Sequence, residues 1–111
     1  MRQAGFSERA VFKALSDPTR REILALLRER RRPAGEIAAR FSISRPAISK
    51  HLRLLRGAKL VTETRDGRER LYQLNAAPLK SVDAWLAAYR RHWRTQLQNL
   101  KHYVENESGE T

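Results

Sequence analysis

The stretch that most restricts how this chain can fold runs from Arg45 to Arg56, RPAISKHLRLLR. On a helical wheel of about 100° per residue, Arg45, Pro46, Ser49, Lys50, Arg53 and Arg56 gather on one arc of roughly 140°. Ala47, Ile48, His51, Leu52, Leu54 and Leu55 fill the other side. A helix of this kind must bury its apolar face and leave its cationic edge in water. Its start is marked as well. Ser44 stands where a side-chain oxygen can accept from an N–H of the first turn, and Pro46 stands where a missing N–H costs little.

Just upstream, Glu36, Ile37, Ala38 and Phe41 form a short amphipathic segment, with Ala38 small enough to let a second helix cross closely. Ile43 is expected to drop into the angle between the two. Ala34 to Arg56 therefore reads as a helix-turn-helix. The edge of its second helix offers Arg and Lys for guanine edges and phosphates, and Ser for either. One local rule is broken, because the turn holds Ser42 where such turns often use Gly to reach a left-handed backbone.

The charge balance agrees with a polyanionic partner. In 111 residues, 23 Lys and Arg stand against 12 Asp and Glu, a formal net charge of +11. Nucleic acid and an anionic membrane face both fit that balance. The groove-shaped motif, and the lack of any basic helix with an apolar face suited to a membrane, favour double-stranded DNA and no membrane. The length suits one domain with one core, expected over residues 1–104 with a disordered tail over 105–111. Cysteine is absent, which excludes disulfides and thiolate metal sites. No apolar run of signal-peptide or membrane-span length occurs, so a soluble cytoplasmic protein is expected.

Before the motif, Phe6 to Leu15 is expected to be a helix with Phe6, Val11, Phe12 and Leu15 as its apolar positions. It stops at Ser16-Asp17-Pro18, where Asp17 can cap a second helix that has Pro18 in its first position. Ile23, Leu24, Leu26 and Leu27 make that second helix central to the core. Arg28 and Arg30 to Arg32 read as its solvated end, where cations suit the helix dipole.

After the motif, Leu60 to Arg65 and Arg68 to Leu74 are strand-like and flank Asp66-Gly67, a dipeptide suited to a two-residue hairpin turn. Pairing across that turn sets Glu63 opposite Arg70 and Arg65 opposite Arg68. Like charges directly opposite are unfavourable in an isolated hairpin; beside phosphates they make sense. The hairpin thus reads as a wing, with Arg65, Arg68 and Arg70 along a DNA backbone. The alternative is a solvated turn with charged ends.

From Leu79 the spacing changes again. Leu79, Val82, Leu86, Tyr89, Trp93, Leu97, Leu100 and Val104 follow at steps of three and four, close to a heptad seam. A helix over residues 78–104 would be on the order of 40 Å long, more than a small domain can cover. A symmetric dimer resolves this, with Leu79, Val82, Trp85, Leu86, Tyr89, Trp93, Leu97 and Leu100 at the interface. The alternative is a helix folded back on its own core.

With these segments in view, the chain resembles the ArsR family of bacterial winged helix-turn-helix repressors. FKALSDPTRREILALL, SRPAISKHLRLLRGAKLV and TRDGRERLYQL carry the resemblance in that order. It implies a mainly α fold with a small β-hairpin, in the order α-α-α-α-β-β-α, dimerising through its terminal helices. It also implies a homodimeric repressor, acting on its own promoter in some members, with recognition helices in successive major grooves of a two-fold operator. By this analogy Arg45, Pro46, Ser49, Lys50 and Arg53 sit in the groove, and Arg65, Arg68 and Arg70 on the wing.

Many family members sense metals. One sensor type uses cysteines on the segment that here reads Gly35 to Phe41, and this chain has none. Another uses Asp and His on the last helix. Asp83 can stand for the Asp, but Trp85 occupies the place of the His, and neither His92 nor His102 has a carboxylate or a second His four residues away. His51 lies on the packing arc and reads as a satisfied, partly buried histidine. The metal-independent branch is therefore expected, with no cofactor, no metal and no evident small-molecule ligand. A metal sensor with a non-standard site is the alternative. A winged-helix assembly module would need an apolar exposed arc, and an enzyme would need a nucleophile and base or paired carboxylates, which the sequence does not assemble.

Overall fold

The computed structural model describes residues 7 to 109. Its elements are α1 (Glu8–Leu15), α2 (Pro18–Glu29), β1 (Arg32–Pro33), α3 (Ala34–Ala39), α4 (Arg45–Gly57), β2 (Val61–Asp66), β3 (Glu69–Leu74) and α5 (Leu79–Gly109). Two units divide at Lys80 and Ser81, and each is described by itself.

In the first unit the helix starts follow their capping residues. Ser7 accepts from Ala10 N–H, Asp17 from Arg20 N–H and Ser44 from Ala47 N–H, each filling one orphan donor of a first turn. Phe6, expected to open the first helix, lies outside the described residues. Ile23 and Leu27 of α2, Ile37 of α3, and Ile48, Leu52 and Leu55 of α4 form the core with Val11, Leu60 and Val61. Ile43 departs from expectation. It is 42% exposed, because α3 ends at Ala39 and the whole turn from Ser42 to Ser44 lies at the surface. Ser42 carries no strain, since the only positive φ values among the described residues are at Lys59 and Gly67.

The end of α4 uses one of those two. Lys59 N–H donates to Arg56 O and Leu60 N–H to Leu55 O, the bond pair of a Schellman cap, with Lys59 in the left-handed position that Gly usually holds. Leu55 and Leu60, both wholly buried, supply the apolar contact of the motif. Asn75 then ties this cap to the end of β3, its N–H donating to Leu60 O and its amide to Lys59 O.

The sheet is three-stranded and antiparallel in the order β1-β3-β2. Strand β1 was not expected. Two residues containing a proline give no periodicity, and Arg32 and Pro33 pair with Tyr72 and Leu71 from an edge. The expected hairpin register is also corrected. Arg65 faces Arg70, not Arg68, and Glu63 faces Tyr72, not Arg70. The two loop residues are Gly67 and Arg68, with Gly67 at φ +64°. The chain places its one permissive residue first in the loop, as a II′ turn requires, so Asp66 becomes the last strand residue.

Arg32 overturns another expectation. Arg28, Arg30 and Arg31 are solvated, but Arg32 is only 2% exposed. Its guanidinium donates to Leu26 O, Glu29 and Glu36. One buried cation thus joins the end of α2 to the start of the helix-turn-helix, and every polar group it brings inside is satisfied. Glu36, bonded to Arg32 and then to Arg30, is held below its ordinary carboxyl value.

The second unit belongs to α5, which continues past Val104 to Gly109 and is about 46 Å long at 1.5 Å per residue. Glu105 and Glu107 near a helix C-terminus oppose the dipole, so their sequence gave no reason to extend it. Along α5, Trp85, Tyr89, Trp93, Leu97, Leu100, Tyr103 and Val104 are exposed, while Leu79, Val82 and Leu86 are half-buried. The Trp85 and Tyr89 rings lie 5.0 Å apart at 51°. No helix among the described residues is long and apolar enough to cross a membrane.

Candidate nucleic-acid interface

The packing of α4 decides which of its side chains reach solvent. Ile48, Leu52 and Leu55 are buried; His51, Leu54 and Ala47 are half-buried. His51 is held from below by Arg20, itself only 8% exposed. Arg20 donates to Ala14 O and Lys13 O, and its Nη1 lies 3.1 Å from His51 Nδ1. The guanidinium can only donate, so that ring nitrogen is the acceptor. Asp17 stands 3.9 Å from the same nitrogen. Its carboxyl is lowered first by the Arg20 backbone N–H and further by the charge of Arg20. The cap of α2 and the floor of α4 are thus one polar network.

With that face fixed, Arg45, Pro46, Ser49, Lys50, Arg53 and Arg56 are all exposed. Two of them, Arg45 and Ser49, line an open groove of about 400 Å³. Its opposite wall is the hairpin, represented by Arg68, Glu69, Arg70 and Tyr72, and its floor includes Ala38 and Ile48. The structure therefore brings Arg45, Ser49, Arg68 and Arg70 to one concavity. Pro46 and Lys50 lie on the same helix edge outside that groove.

Arg65 and Arg53 stand apart from it. Arg65 shares a second hollow with Arg56, Glu63, Thr64 and Arg70, and Arg53 a third with Arg56, Lys59 and Glu63. Glu63 was not marked by the sequence as a site residue. Its carboxylate accepts from the Tyr72 hydroxyl at 2.6 Å and lies 3.5 Å from Arg56 and 3.7 Å from Arg70. The pair with Arg70 survives as a diagonal contact, although the register expected for it was wrong. Charge alternation along TETRDGRER was the available signal, and it does not say which cation a lone carboxylate will choose.

Among the described residues no three of His, Asp and Glu come together as metal ligands. Asp83 pairs with Arg90 at 3.0 Å, and His102 Nε2 lies 2.9 Å from the Asn106 amide.

Comparison with known proteins places this arrangement. A family model described as a helix-turn-helix domain matches residues 15–64. The transcriptional repressor SdpR of Bacillus subtilis (strain 168) is 46% identical over 76 residues, covering 68% of this chain and 84% of that protein. The HTH-type transcriptional regulator Rv2034 of Mycobacterium tuberculosis is 34% identical over 100 residues, covering 90% and 91%. Among solved structures, an ArsR family transcriptional regulator superposes with a TM-score of 0.71 at 30% identity, covering 79% of this chain and 98% of its own. These relatives are transcriptional regulators.

Proposed function

Since the chain belongs to the ArsR family of winged helix-turn-helix, DNA-binding transcriptional repressors, we propose that it works in the cytoplasm as a homodimer. It reads a two-fold-symmetric operator and needs no metal effector. The observation that carries this reading is the groove between α4 and the hairpin, where Arg45 and Ser49 face Arg68 and Arg70. Arg45, Pro46, Ser49, Lys50 and Arg53 enter the major groove, and Arg65, Arg68 and Arg70 follow the backbone beside it. Arg45 and Ser49 supply donors for base edges, while the wing arginines neutralise phosphates and fix register.

The dimer rests on the exposed seam of α5. Trp85, Tyr89, Trp93, Leu97 and Leu100 are between 46% and 65% exposed, an apolar stripe that a second copy of the same helix fits by symmetry. Leu79, Val82 and Leu86 continue the interface toward the N-terminal end of α5. Metal independence rests on the absence of cysteine and on Asp83 being engaged by Arg90.

The two kinds of contact separate experimentally on DNA sites selected by the protein and on random duplexes. Arg45→Ala or Ser49→Ala should lose about 1–3 kcal/mol on the selected site and much less on random DNA. Arg68→Ala should weaken both alike and lower the salt slope by about one unit. Equal losses on both duplexes for all three variants would remove α4 from base recognition.

A further inference from the structure

Glu63 is the one carboxylate bonded to both the far end of α4 and the wing among the described residues. It accepts from the Tyr72 hydroxyl at 2.6 Å and pairs with Arg56 in the last turn of α4 and Arg70 on β3. The Glu63 side chain is 18% exposed, but the arginines are 46% and 59% exposed, so both guanidiniums reach solvent while leaning on a sheltered anion. Arg65 lines the same hollow. Burial, and then the bond to Glu63, hold the Tyr72 hydroxyl in its protonated, donating form. The Tyr72 bond and the three arginine charges keep Glu63 ionised.

In a chain of formal charge +11, three arginines around one hollow would form a strong phosphate patch. Phosphate neutralisation carries no sequence information, and it sets how firmly a protein is held on random DNA. A regulator must find its site among a vast excess of random sequence, so the ratio of the two affinities matters more than either alone.

We propose that Glu63 is a specificity-determining residue, an internal counter-ion that withholds Arg56 from the DNA backbone and weakens the hold of Arg70 on it. Discrimination is then left to the groove-facing Arg45 and Ser49. This rests on the reading that the helix-and-wing face binds DNA. Glu63→Gln is the informative variant, because the amide oxygen still accepts from Tyr72 while the charge is gone.

The test is fluorescence anisotropy of the full chain on a random-sequence duplex and on a site selected by the wild type, across a potassium chloride series. Glu63→Gln should steepen the salt slope on random DNA by about one to two units, about one for the freed Arg56 and the rest from the strengthened Arg70 contact. Random-duplex affinity should rise more than selected-site affinity, so that their ratio falls. Adding Arg56→Ala to Glu63→Gln should remove at least half of the steepening. Tyr72→Phe, which keeps the charge and loses the hydrogen bond, should leave the slope as in the wild type.

An unchanged or shallower slope in Glu63→Gln, with an unchanged thermal melt, would overturn the proposal and leave Glu63 as a support for the hairpin. A Tyr72→Phe slope as steep as that of Glu63→Gln would place the effect in hairpin packing and overturn it too. If the wild type bound neither duplex, the underlying reading would fall first, and this inference with it.

Discussion

Replacing Trp93 by alanine tests the long helix as a dimer seam. Trp93 is 52% exposed, and since an aromatic side chain of this kind presents roughly 200 Å², about 100 Å² remains for a partner to cover. At about 25 cal/mol per Å² that is about 2.5 kcal/mol for one subunit. Symmetry places the residue at the interface twice, so the dimer loses about 5 kcal/mol less the small part that alanine still buries. A net loss of about 4 kcal/mol weakens the dimer roughly a thousandfold, at about 1.4 kcal/mol per tenfold. Sedimentation equilibrium across a micromolar concentration series reads this shift directly, with circular dichroism confirming that helix content is retained. Leu97→Glu, at a residue 65% exposed, should go further, because it asks the interface to bury two unpaired carboxylates. If both variants kept the wild-type dissociation constant, the apolar stripe of α5 would not be the interface.

Two further outcomes follow from the fold. Lys59→Gly should raise stability by about 0.5–1 kcal/mol in urea denaturation, by relieving the left-handed backbone at φ 64° that closes α4; a loss would mean that the lysine stem contributes more than the strain costs. Glu36 has a folded-state pKa below its ordinary 4.5, chiefly through its bond to Arg32. Its stabilising contribution is therefore present above the unfolded value and lost as pH falls through the lower folded value. Glu36→Gln should melt earlier than wild type at neutral pH and show a shallower decline on acidification below about pH 4.5; parallel pH profiles would contradict this.

What could be read from the sequence was governed by range. Ser44 with Pro46, and Asp17 with Pro18, announce their helices because a cap and its orphan donor lie within three residues. The two faces of α4 were equally legible, because 3.6-residue periodicity is local, and they gave the exposed set from Arg45 to Arg56 that the structure displays. The failures came where two distant segments decide together. Asp66-Gly67 looked like the loop, yet the preference of one glycine for the first loop position moved the register by one residue on each strand. Among adjacent arginines nothing marked Arg32 as the one to be buried; Glu29 and Glu36 select it only once α2, β1 and α3 meet. Glu63 was legible only as a partner for Arg70; that it also serves Arg56 and Tyr72 was not, because those partners come from α4 and β3.

The claim that joins these parts is that two copies of α4, held apart by α5, read one symmetric site. Selecting bound sequences from a random pool with the 111-residue chain measures it most directly. The expected product is an inverted repeat with half-site centres about one helical turn, or a multiple of it, apart. Selected sequences that contain a single unrepeated half-site, or no common sequence at all, would contradict it.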